Sequence, residues 1–161
     1  MQVEMTIKGL MVDPVTHMPI IILRDREGQR VLPIWVGIFE ANAIALQMEN
    51  ISTPRPMTHD LLRHAIEDLG GTVTKIVIAD LRDNTFFALI HVQTATDSLA
   101  IDARPSDAIA LALRAQAPIF VEESVIDNAK GIDFGADRAD SERLQKWLES
   151  LDPEELGKYK M

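Results

Sequence analysis

Cysteine is absent from all 161 residues, and with it go disulfides, zinc–thiolate centres, iron–sulfur clusters and thiol nucleophiles. Long apolar runs are missing too: no stretch approaches the roughly 18 residues that a membrane-spanning helix needs. The opening Met1-Gln2-Val3-Glu4-Met5 has no basic segment ahead of an apolar one, so no secretory leader is read there. A soluble, cytoplasmic chain is expected. Positive charge is scarce, with 16 Lys and Arg against 25 Asp and Glu and a net charge of −9. The acidic excess runs through residues 1–121 as well as 122–161. A broad basic footprint for nucleic acid is thereby excluded, and any such contact must use a few clustered arginines or divalent cations. Aromatics make up only 5% of the chain, which points to modest affinity and little sequence preference. Glycines are isolated or paired, no Gly-Lys-Ser/Thr occurs, and no phosphate loop is read. No serine lies in a nucleophile-elbow context.

What remains is 47% hydrophobic and 25% charged, enough to bury one core with a short appended element. Two arginine–proline units stand out: Arg55-Pro56-Met57-Thr58-His59-Asp60 and Arg104-Pro105-Ser106-Asp107. In each, proline holds the preceding arginine extended and stops a helix from starting earlier. Thr58 and Ser106 are expected as N-caps. Asp60 and Asp107 then fall in the first turn, where the helix dipole favours an anion. After the second unit, Ala108 to Leu113 has no polar side chain, which predicts a helix buried all round. Asp102, Arg104, Asp107 and Arg114 crowd its ends. Charges so near a core are costly unless paired or ligand-bound. Arg104 and Asp107 either staple the strand-to-helix turn or belong to a site.

Alternation and β-branched runs predict strands over 3–12, around 18–23 and over 30–36, with Pro33 marking an edge or bulge. Gly37 leads into a helix over 38–48. A second helix is predicted over 58–69, stopped by Gly70-Gly71. Leu61, Leu62, Ala65, Ile66 and Leu69 form its apolar stripe, and Arg63, Glu67 and Asp68 its wet face. Strands over 72–81 and 85–93 flank a hairpin turn at Arg82-Asp83-Asn84, and another spans 98–103. The buried helix, a short strand at 118–121 and a helix over 122–129 follow. The order β-β-β-α-α-β-β-β-α-β-α predicts a single compact α+β domain over residues 1–130. Its two strand-rich halves, each leading to an Arg-Pro unit, suggest an internal duplication. Residues 131–161 read as a linker and a short amphipathic helical tail, with Leu144, Trp147, Leu148 and Leu151 at helical spacing.

His17, His64 and His91 read as loop, helix-surface and strand residues. His59, at a helix start, has a plain reading as a solvent-facing first-turn residue. A sharper reading gathers Glu40, His59, Asp60, Asp102 and Asp107 with Arg55 and Arg104 around one cleft. Carboxylates with an imidazole suit Mg²⁺ or Mn²⁺, and arginines hold phosphate bidentately. Phosphodiester hydrolysis needs those parts, namely an activated water and positive groups beside the developing charge. On that reading Asp102, Asp107, Asp60 and Glu40 activate water or bind a cation, with Asp102, Asp107 and Asp60 as metal ligands. Arg55 and Arg104 hold phosphate, and His59 serves as acid, base or ligand. The competing expectation is a non-catalytic module for a small anionic ligand or a protein partner, stapled by the Arg-Pro units.

Several of these stretches resemble one family. Leu32-Pro33-Ile34-Trp35-Val36-Gly37, Glu40-Ala41, Arg55 to Leu61, Asp80-Leu81 with Thr85-Phe86-Phe87-Ala88, Ile101 to Ala112, and Ala117 to Val121 are similar, in order and spacing, to the bifunctional nuclease domain of bacteria and plants. The resemblance covers roughly residues 1–130. It implies a compact α+β fold, nuclease activity towards RNA and DNA, and self-association as a homo-oligomer. Some members add a C-terminal UVR helical hairpin, which this chain lacks, so a repair-complex role is not implied. The motif positions include Glu40, Arg55, His59, Asp60, Asp102, Arg104 and Asp107, the same residues that the chemistry selects.

Overall fold

A computed structural model describes residues 1–129; the linker and helical tail expected over 131–161 lie outside the described residues. The β-branched first third pairs as an antiparallel meander of β1 (Gln2–Val12), β2 (Pro19–Asp25) and β3 (Val31–Trp35). Pro33 cannot donate a ladder hydrogen bond, and β3 is accordingly an edge strand. Two helices follow, α1 (Ile38–Met48) and α2 (Thr58–Asp68). A second meander comprises β4 (Thr72–Arg82), β5 (Thr85–Gln93) and β6 (Ser98–Ala103). Asp83 and Asn84, with φ of 50° and 61°, make the two-residue turn between β4 and β5, where both residues must be left-handed. The described residues end in α3 (Pro105–Ala115), β7 (Ile119–Glu122) and α4 (Glu123–Ala129).

The seven strands of the described residues form one mixed sheet in the order β3-β2-β1-β7-β4-β5-β6. The two meanders share no strand ladder. The four-residue β7 joins them, antiparallel to β1 and parallel to β4. The fold is α+β, in the element order that the sequence predicts.

The apolar run of α3 is buried as expected, with Ala108 to Leu111 fully inside. It packs against β4, β5, α1 and α2, and these elements share one core with Ile21, Leu23, Ile44, Ile76, Ile78 and Ile90. The stripe expected on α2 is corrected. Leu61 and Leu69 are 61% and 88% exposed, while His59 is buried and Arg63 half-buried. The reason is that α2 meets α3 through polar contacts, which turn Leu61, Leu62, Ala65 and Leu69 outward; of the expected stripe, Ile66 alone packs against the core. That row is not alone. On β6, Leu99 and Ile101 pair with the buried Val92 and Ile90, yet they remain exposed, as does almost the whole strand.

Candidate functional site

The site forms where the two Arg-Pro units meet. At α3, Arg104 is the N-cap in an extended conformation and Pro105 takes the first helical position, where its missing N–H is no loss. At α2 the N-cap is Met57, whose N–H donates to Asp60 Oδ2 at 2.9 Å. Neither Thr58 nor Ser106 is therefore the cap; each lies inside its helix. Proline sets the start of α3, and the back-folded Asp60 carboxylate sets that of α2.

A chain of charged contacts links three helices. Arg104 Nη1 lies 3.1 Å from Glu40 Oε1 in the first turn of α1, and Arg104 Nε donates to Asp107 Oδ2 at 2.9 Å. The other Asp107 oxygen is 2.9 Å from His59 Nε2. Burial opposes ionisation of Asp107, but the hydrogen bonds from Arg104 and His59 outweigh it and hold the carboxyl below its ordinary range. The hydrogen bond to Asp107 and its charge raise the Arg104 guanidinium. With Asp107 ionised, the hydrogen shared with His59 sits on Nε2. His59 is thus not the solvent-facing residue of the plain reading; it is packed and oriented. Arg104 stays 65% exposed, with Nη2 outside both carboxylate contacts.

Beneath this chain lies a second junction that the sequence reading treated only as a charge bracketing the buried helix. The Arg114 side chain is 3% exposed. It donates from Nε to Asp60 Oδ1 at 2.8 Å, from Nη1 to the Ala110 carbonyl and from Nη2 to the Ala43 carbonyl, both at 2.9 Å. Arg63 Nη1 in turn donates to the Arg114 carbonyl at 2.8 Å. α1, α2 and α3 are pinned to one guanidinium. The signal was a single arginine directly after the apolar run, in the last turn of α3. Burial disfavours the Asp60 anion, yet the Met57 N–H and Arg114 more than compensate, so its carboxyl titrates below its usual value.

The expected site residues therefore divide. Glu40, His59, Arg104 and Asp107 come together. Both Asp60 oxygens are engaged in the Arg114 junction. Asp102 is exposed on edge strand β6 and joins none of these bonds. Arg55 lines a separate hollow between α1 and α2. Among the described residues no three His, Asp or Glu side chains stand close enough to hold a metal ion, and the carboxylates that do converge are paired with arginine. A resident metal held by Asp60, Asp102 and Asp107 does not fit this arrangement.

The description of the bifunctional nuclease domain matches residues 21–133, a span that contains both junctions. This chain belongs to the bifunctional nuclease domain family. An uncharacterized protein of Mycobacterium tuberculosis is 37% identical over 162 residues, covering 95% of this chain and 97% of the relative. Bifunctional nuclease 2 of Oryza sativa subsp. japonica is 31% identical over 111 residues, covering 66% of this chain and 34% of that protein. Bifunctional nuclease 1 of Arabidopsis thaliana is 29% identical over 119 residues, covering 71% and 36%. The chain thus spans about a third of these plant relatives. Within a bifunctional nuclease domain, the Leu32-to-Gly37 motif has a structural use here: Trp35 Nε1–H donates to the buried Asp13 Oδ2 at 2.7 Å, tying β3 to the β1–β2 turn. The Arg-Pro motifs instead lead to the charged junction of the three helices.

Proposed function

We propose that this chain is a nuclease that hydrolyses phosphodiester bonds of RNA and DNA with little sequence preference, at the Glu40–Arg104–Asp107–His59 cluster. The observation that carries the reading is the unbroken contact chain from an exposed guanidinium through a carboxylate to an oriented imidazole. DNA has no 2′-hydroxyl, so an enzyme acting on both polymers at one site uses water as nucleophile. His59 takes a proton from that water at Nδ1 as its oxygen bonds to phosphorus, while Asp107 steadies the resulting imidazolium. The bond from phosphorus to the leaving nucleoside oxygen breaks on the opposite side; that oxygen takes a proton from solvent water, and the imidazolium releases its own to solvent. Arg104 offers Nη2 to the phosphate as negative charge builds. Glu40 positions Arg104 without touching the reacting atoms.

The second reading, a non-catalytic module, draws on the same contacts, since every carboxylate in the cluster is already paired with a cation or imidazole. Homogeneous protein assayed on labelled RNA and DNA separates the two. Asp107→Asn and Arg104→Ala lower cutting by about 100-fold or more on the catalytic reading, with the melting temperature close to wild type. Unfolding of both variants, or undiminished cutting by well-folded ones, overturns it. We also propose that the chain self-associates through the exposed edge strand β6.

A further inference from the structure

Between the C-terminal half of α1 and the loop entering α2 lies an open hollow of about 290 Å³. Its rim holds Arg55, Arg63 and His64; Leu46, Ile51 and Met57 supply an apolar wall. None of Glu40, His59, Arg104 or Asp107 lines it, so it is distinct from the cluster above. The first turn of α2 is the partition between them. His59 faces Asp107, while the next residue, Asp60, turned about 100° around the helix, lines the hollow.

The charge balance of the hollow runs against that of the molecule. The one carboxylate in its lining, Asp60, is taken by Arg114. Arg55, on the exposed loop, enters no ion pair among the described residues. Arg63 donates Nη1 to the Arg114 carbonyl, meets the His64 ring through Nη2 and pairs with Glu67 at 3.8 Å through Nε, an atom shut away from solvent. One unpaired guanidinium, Arg55, and a second already engaged with the protein, Arg63, therefore border one small space in a chain of net charge −9. Planar donors of this kind select phosphate or carboxylate. The apolar wall beside them selects an anion that carries a flat hydrophobic group. The volume stands at the lower limit of small-ligand pockets, about 300 Å³, which suits one nucleotide and not an oligonucleotide.

We infer that this hollow binds a single nucleotide unit, with its phosphate on Arg55 and its base against Leu46, Ile51 and Met57. This rests on the nuclease reading for its biological sense: a strand whose scissile phosphate sits at His59 would place a neighbouring nucleotide across the first turn of α2. The pocket's binding does not depend on cutting, however, and is measured separately.

Isothermal titration of the full chain with 5′-AMP, which has no phosphodiester bond, tests it directly. Parallel titrations use adenosine and inorganic phosphate. AMP is expected to bind at least tenfold more tightly than either fragment. Arg55→Glu, on an exposed loop away from the core, is expected to weaken AMP at least tenfold with an unchanged melting curve. Met57→Ser should weaken AMP and leave phosphate alone. Inorganic phosphate binding as tightly as AMP overturns the inference, as does AMP binding that Arg55→Glu leaves intact, or no AMP binding at all. Arg55-dependent AMP binding by protein that cuts neither RNA nor DNA upholds the pocket while the nuclease reading falls. Cutting without AMP binding does the reverse.

Discussion

Replacing Arg114 by Ala would leave the Asp60 carboxylate without its cation and two helix carbonyls, those of Ala43 and Ala110, without their donor. Breaking a buried pair costs about 3–5 kcal/mol; Asp60 retains some solvent access, so the lower end is expected. At about 2–4 °C per kcal/mol for a domain of this size, the melting temperature should fall by roughly 10 °C, measured by calorimetry. His59→Gln should behave differently. Glutamine can still donate to Asp107 but cannot carry a proton, so cutting falls about 10²–10⁴-fold with little change in melting. Acid titration isolates the carboxylates. Asp60 and Asp107 titrate below their ordinary value near 3.8 when folded, so the unfolded chain binds more protons in between. Their stabilisation is complete above that ordinary value and is lost as pH falls through the depressed one. Melting temperature should therefore drop steeply below about pH 4, and Asp60→Asn should flatten that slope. At this scale the sequence revealed which residues carry chemistry, because polar groups beside an apolar run must find partners. It did not reveal the partners. Asp60 and Asp107 look alike in the chain, yet one serves a buried arginine and the other an exposed one.

Helices and strands were legible nearly to the residue, since β-branched runs, paired glycines and proline act locally. Which face of a helix is buried was not. On α2 the apolar row pointed to the core, but His59, Asp60 and Arg63 have specific partners on α3 and win the inward position. Glycine offers a probe of these placements. A Cβ on Gly37 would overlap Glu40 Oε2, the end of a flexible side chain that can swing aside. Gly37→Ala should therefore leave stability nearly unchanged while it loosens Glu40 from Arg104, and cutting should fall several-fold in the nuclease assay. A Cβ on Gly71 would lie 2.8 Å from Val92 Cγ1 and 3.1 Å from the Ile66 carbonyl, where backbone cannot yield. Gly71→Ala should destabilise by about 1–3 kcal/mol in denaturant titration.

The sheet sets how the whole molecule meets its surroundings. One edge, β3, carries Pro33; the other, β6, has no proline and leaves Leu99 and Ile101 uncovered. An open apolar edge is a template for another strand. In an antiparallel pairing of two β6 strands, residues that face each other share a side of the sheet, and a centre on Ala100 sets Leu99 against Ile101 of the second copy twice. Sedimentation should show an assembly for the wild type and a monomer for Ile101→Lys; a monomeric wild type would remove this proposal. The apparent duplication has its counterpart in two three-stranded meanders, but only the structure shows that they are bridged by β7, the shortest and latest strand. The sequence by itself determined the α+β class, the element order, the buried α3 and the set of charged residues at its ends, because propensity, periodicity and proline act over a few residues. Tertiary structure alone decided the place of β7, the split of the acidic residues between Arg104 and Arg114, and the outward row of α2. Each of those depends on contacts between segments tens of residues apart, where burial and pairing choose among options that local chemistry leaves equal.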